Sequence, residues 1–294
     1  MLKVPYALEV DRLKSALTRR FLIPALPALE AAFIDLRAET DRALAGQAPS
    51  RRGKAYPYGY CCEITLDVLR RLDARKSAPR TAGERALSAF LNNGGEARLV
   101  WGVLRDRFFQ NAIQLGSLYV DVSNDTVDVN KPKVEILPMR DSGLALVRDA
   151  EHFARIAEGY WDARIYANTA IPALAPLFPM VMVGGAGTVS LQSKTGYMMR
   201  LFASDGFRAA ERWLRDGPPP PPIVIRALRD ACPDDVLASA PGFGVDAAVR
   251  ACRQLRDAGA AIDQAWLDKM CARFDQVESN PTAEGSEPAR REAA

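Results

Sequence analysis

Residues 97–122 read ARLVWGVLRDRFFQNAIQLGSLYVDV, and this stretch decides the fold class. Ala97 to Val103, Phe108 to Gln114 and Ser117 to Val122 are apolar and aromatic runs, parted by short breaks at Arg105-Asp106 and Gly116. Runs of this length joined by tight turns predict consecutive antiparallel strands. Lys133 to Leu137 is a fourth candidate strand. Upstream the spacing is helical instead. Leu13, Leu17, Phe21 and Leu22, then Leu29, Phe33, Ile34 and Leu36, recur every three or four residues, with Pro24 and Pro27 dividing them into two helices. Further helices are expected from about Gly59 to Leu72 and from Ala82 to Leu91, the second stopped by Asn92-Asn93-Gly94-Gly95. Helices beside an antiparallel sheet make an α+β class.

Past the sheet, Glu151 to Tyr160 has helical spacing, and Met180 to Val183 with Thr188 to Leu191 flank Gly184-Gly185-Ala186-Gly187 as a hairpin. Asp205 is placed to cap a helix carrying Phe207, Ala210, Trp213 and Leu214. The prolines Pro218 to Pro222 carry no backbone donors and favour an extended spacer. The expected organisation is therefore a main α+β domain over 1–217, a linker over 218–222, a helical segment over 223–275 and a disordered polar tail over 276–294. The stretch from Tyr160-Trp161 through Tyr166 and Asn168 to Pro179 concentrates aromatics and prolines, which suits packing on a sheet or lining a peptide groove.

Of 294 residues, 48% are hydrophobic and 26% charged, enough for an ordinary core without metal or disulfide staples. The net charge of +3 is too small to argue for nucleic acid. Arg in excess of Lys, with abundant Ala, reads as the coding bias of a GC-rich bacterial genome. Five cysteines, two of them adjacent and none in a CxxC pair, fit a reducing, cytoplasmic setting. No signal peptide is expected at the N-terminus. The longest apolar run, Ile171 to Val183, is too short for a membrane span. No cofactor is expected. Gly184 to Gly187 followed by Ser193-Lys194-Thr195 lacks phosphate-loop spacing. Asp121, Asp125, Asp128 and Glu135 offer oxygen ligands, but not in a calcium-loop pattern, so no metal site is expected.

One segment carries chemistry. Residues 56–69, YPYGYCCEITLDVL, put Cys61 at a loop-to-helix junction two residues after Gly59. A helix N-terminus supplies partial positive charge and free N–H groups, which favour thiolate over thiol and can hold an oxyanion. The same placement suits a cysteine that is merely a small buried hydrophobe.

Taken with the strands that follow, residues 55–130 resemble the core of papain-like and transglutaminase-like cysteine enzymes. In those enzymes a Gly-x-Cys opens a helix, a histidine opens a later strand and an Asp or Asn lies on the next strand. The resemblance implies Cys61 as nucleophile, Asn111 at the histidine position, Asp121 as orienting acid, and Gln110 or Asn111 as a carbonyl or oxyanion ligand. Tyr58, Trp101 and Tyr119 are then expected to line the binding groove. Asparagine cannot take a proton from a thiol, and His152 is the chain's one histidine. Two functions follow as expectations. One is a cysteine-dependent hydrolase or acyl transferase acting on an amide or thioester. The other is a non-catalytic module on the same fold that binds a protein or peptide.

Overall fold

The structure is a computed structural model that describes residues 10–51, 53–185, 187–192, 195–240, 242–258 and 264–279. It has the mixed α+β class expected from the sequence. The chain divides into two compact units, one ending at Leu146 and the other beginning at Val147.

The first unit opens with α1 (Arg12–Leu17), whose first turn is capped by the Asp11 carboxylate accepting the Lys14 N–H at 2.7 Å. Helical turns continue to Leu44 but change type on the way. A π-type turn covers Thr18–Leu22 and a 3-10 turn Ile23–Ala25 before α2 (Leu26–Leu44) begins. Pro24 has no N–H to donate, so a regular ladder cannot run through it, whereas Pro27 falls in the first turn of α2, where that donor is not needed. The expected break between two helices is therefore a change of winding.

After a loop come α3 (Cys61–Arg75) and α4 (Ala82–Asn92). Thr81 and Glu84 cap α4 reciprocally, and its last turn is closed by the Asn93 side chain donating to the Ala89 carbonyl at 2.8 Å. Gly83 lets α4 lie against α2: a Cβ there would sit 2.1 Å from the Ala28 carbonyl oxygen. Between α2 and the sheet lie Phe33, Ile64, Val68, Phe90, Ile113 and Val120, all buried. Burying one such side chain is worth about 1.5–3 kcal/mol.

The sheet has strand order β4-β3-β2-β1-β5, every pair antiparallel, from β1 (Ala97–Leu104), β2 (Phe108–Leu115), β3 (Leu118–Asp121), β4 (Glu135–Pro138) and β5 (Leu144–Ala145). The two-residue β5 pairs only with Val103 and Leu104, too short a run to read from sequence. Leu104 pairs with Phe108, so β1 and β2 are joined by the three-residue turn Arg105–Arg107, in which Arg105 and Asp106 both have positive φ, 51° and 55°. The face away from the helices carries a smaller apolar cluster around Val100, Leu104, Ala112 and Tyr119.

In the second unit α5 (Ala150–Trp161) precedes a three-stranded antiparallel sheet of β6 (Arg164–Ala167), β7 (Met180–Val183) and β8 (Val189–Leu191). The hairpin expected around the glycines is present, with Gly184 N–H donating to the Thr188 carbonyl at 2.9 Å. The stretch from 171 to 179 is interior: Ile171, Leu174, Leu177 and Phe178 are wholly buried.

Helices α6 (Gly196–Ala203), α7 (Arg208–Asp216), α8 (Pro222–Ala231), α9 (Asp234–Ala238), α10 (Val245–Asp257) and α11 (Gln264–Ser279) follow. The proline run lies inside the second compact unit. Pro218 accepts the Ala167 N–H at 2.8 Å, and Pro222 is the first residue of α8, so the run is fixed at both ends within one unit. Residues 276–279 of the expected tail belong to α11, and 280–294 lie outside the described residues. Among the described residues no helix is long and apolar enough to cross a membrane.

Candidate functional site

The loop before α3 is fastened to that helix by a few specific contacts. Gly59 takes φ +74°, and its N–H donates to the Thr126 carbonyl at 3.2 Å, which brings the loop to the turn after β3. The Arg51 guanidinium lies 3.9 Å over the Tyr60 ring and reaches the Gly59 carbonyl and the Glu63 carboxylate. Tyr60 donates its hydroxyl to the Pro49 carbonyl. Cys61 is consequently held as the first residue of α3, 5% exposed, with Cys62 behind it at 1%.

Asn111 reaches it from the middle of β2. Its Nδ2 donates to Cys61 Sγ at 3.5 Å, and both side chains are buried. The Asn111 carbonyl lies 3.4 Å from Thr65 Oγ1 and 3.3 Å from Ser123 Oγ, and Thr65 also donates to the Cys61 carbonyl at 2.7 Å. The structure thus brings together two residues that are 50 positions apart.

Asp121 belongs to a different contact. Successive strand residues point to opposite faces, so Gln110 projects away from α3 where Asn111 projects toward it. Asp121 accepts from Gln110 Nε2 at 2.8 Å, Tyr119 OH at 2.9 Å, and Ser123 N and Oγ at 2.8 and 3.0 Å. Asp121 therefore holds Gln110 rather than orienting Asn111. Burial raises the carboxyl of Asp121 above its ordinary value, and the Ser123, Gln110 and Tyr119 donors oppose that shift without cancelling it. Burial beside Asp121 likewise pushes the Tyr119 hydroxyl well above its ordinary value. Gln110 Oε1 is buried with no hydrogen-bond partner. Ser123 Oγ lies within reach of both the Asn111 carbonyl, at 3.3 Å, and Asp121, at 3.0 Å.

The expected groove residues separate in the same way. Trp101 is directly opposite Asn111 in the β1–β2 register and stacks on Phe109 at 5.3 Å, so it shares the face of Asn111. Tyr119 is wholly buried on the other face, with its hydroxyl on Asp121, and lines no open groove. Tyr58 is half-buried beneath the Lys54 ammonium, 4.3 Å from its ring centroid. His152 is buried in the first turn of α5, in the second unit, and its Nδ1 accepts the Arg148 N–H at 3.1 Å.

The oxygen groups considered as cation ligands have separate partners: Asp125 holds Arg37, Asp128 caps Asn130, and Glu135 pairs with Arg105. Among the described residues no three His, Cys, Asp or Glu side chains gather as a metal site.

Arg37 carries no motif that singles it out in the sequence. Its guanidinium is fully buried, forked onto Asp125 at 2.7 and 3.0 Å, and bonded to Asp41 and the Val122 carbonyl. Its signal is positional: Arg37 and Thr40 fall on the apolar stripe of α2, after Phe33 and Leu36. Compared with protein families, curated proteins and solved structures, the chain matches none of them.

Proposed function

We propose that the first unit carries a cysteine-dependent acyl-accepting site, with Cys61 as nucleophile toward an amide or thioester and Asn111 as its polar partner. The observation that supports this reading is the 3.5 Å contact from Asn111 Nδ2 to Cys61 Sγ at the start of α3. A thiol at a helix start, facing an amide donor, is placed where a thiolate is favoured and where helix N–H groups can meet an oxyanion. A reducing compartment suits this reading, since the thiol has to stay reduced to react.

A second reading is a non-catalytic module on the same fold that binds a protein or peptide. Two observations favour it: Cys61 is nearly buried, and the amide beside it cannot accept a proton. Labelling with iodoacetamide across pH, assigned by mass spectrometry in wild type and Cys61→Ala, separates the two. Rapid labelling of Cys61 well below pH 8 is expected for the acyl-accepting site. Labelling only after denaturation would leave the binding module as the reading to pursue.

A further inference from the structure

We infer that the outward face of α1 and α2 pairs, antiparallel, with the same face of a second copy of this chain. The helical run from Arg12 to Leu44 buries one stripe, with Leu22, Leu29, Phe33 and Leu36 in the core. A second row faces outward. Leu13, Ala16, Pro24, Pro27, Ala31 and Ile34 are all exposed, at steps of three or four residues once Arg20, exposed in the same row, is included. Leu13 is 64% exposed, Ile34 48%, and the adjoining Ile23 46%. One apolar stripe is enough to seat a surface helix on its core, and a second one left in water marks an interaction surface.

Charge along the row is segregated. Arg12, Arg19 and Arg20 are exposed in its N-terminal half, Glu30 and Asp35 in its C-terminal half. Among the described residues none of these five side chains has an ion-pair or hydrogen-bond partner, and Arg20 touches only the Phe21 ring. Neighbouring charges are engaged within the chain: Asp11 with Lys14, Glu39 with Arg71 and Arg75, Asp41 with Arg37 and Lys133. A two-fold axis between Pro24 and Pro27 sets Arg20 of each copy beside Glu30 of the other. It also sets Asp35 opposite Ala16, one turn from Arg12, Arg19 and Arg20, so every pair forms twice. Parallel helices would bring like charges together, which disfavours that arrangement. Arg42, two turns past Asp35, falls beyond the start of the facing α1. The face is about 10 Å wide and about 33 Å long, so each copy buries about 300 Å², against about 800 Å² in a standard interface. The dimer is therefore weak, forms at high concentration and is sensitive to salt.

Sedimentation velocity of the full chain, from low micromolar to about 200 µM and at low and high salt, tests the pairing. A monomer–dimer equilibrium is expected, tightest at low salt. Ile34→Lys, which puts an ammonium into the apolar contact, should leave the chain monomeric throughout. Arg20→Glu should weaken the dimer about tenfold, because each reversal disturbs two symmetry-related pairs. Adding Glu30→Arg restores opposite charges and should recover most of that loss. All three substitutions fall on exposed side chains, and circular dichroism checks that each variant is folded. A chain that stays monomeric at low salt over the whole range would overturn the inference. So would a dimer that Ile34→Lys and Arg20→Glu leave intact, since it would use another face. A double variant no tighter than Arg20→Glu alone would overturn the antiparallel arrangement.

Discussion

Asp121 shows how much one strand position can hold. Its carboxyl is buried and raised above its ordinary value, so its contribution to stability is full below about pH 4, the unfolded range, and is lost as pH rises through the folded value. Asn at this position cannot titrate. Urea midpoints of Asp121→Asn and wild type, compared from pH 4 to pH 8, are therefore expected to shift in favour of the variant as pH rises. A gap that moves the other way would mean the native carboxyl is ionised. The polar character of Gln110, Asn111 and Asp121 was legible in the sequence, whereas the contact of Asn111 with Cys61 has no signal in the residues themselves and was implied only by the resemblance. Which of them share a face was not legible either, because a one-residue difference in register exchanges the two faces of a strand. Asn111 and Gln110 are neighbours in sequence and address different sides of the sheet.

Among the elements, α2 and the turn after β3 are joined by a buried ion pair. Arg37→Met would leave Asp125 charged and without its fork. We expect a loss of about 3–5 kcal/mol by chemical denaturation, the usual consequence of stranding a buried charge. Adding Asp125→Asn should recover part of that loss, and failure to recover any would place the role of Arg37 in its bonds to Asp41 and the Val122 carbonyl. At this scale the sequence was most informative. The helices of the first unit and the three strands of 97–122 follow from spacing and turn residues, since each buries one face. The π and 3-10 turns at 18–25 and the two-residue β5 did not, because local winding and so short a pairing depend on contacts made far along the chain.

Over the whole molecule, several carboxyls are held below their ordinary values, opposite in sense to Asp121. Hydrogen bonds from Arg75 do this for Glu39; for Asp41, burial works against it but Lys133, Tyr56 and Arg37 prevail; Asp67 and Glu211 are likewise lowered against their own burial by arginine partners, and Glu84 by the backbone N–H groups of Arg80 and Thr81 and then the Arg75 side chain. A lowered folded value gives stability that is present above the unfolded range and lost as pH falls through it. Thermal midpoints should accordingly drop on acidification from about pH 5 toward pH 3, and a flat profile would mean these pairs are too solvated to matter. The division at 146/147 left no mark in composition, whereas the five prolines were conspicuous and lie inside a unit, because a run without donors still offers acceptors. The close of α4 bears on how the protein ages. Asn93 precedes Gly94, the step most prone to lose ammonia through a cyclic imide, yet its amide is tied to Ala89 and the Gly94 N–H to Leu91. The imide can form only while that last turn is frayed. Its product places a carboxylate at the negative end of the helix and takes one unit from a net charge of +3. The slow build-up of an acidic variant on ion exchange would thus record, over storage, how often the end of α4 comes undone.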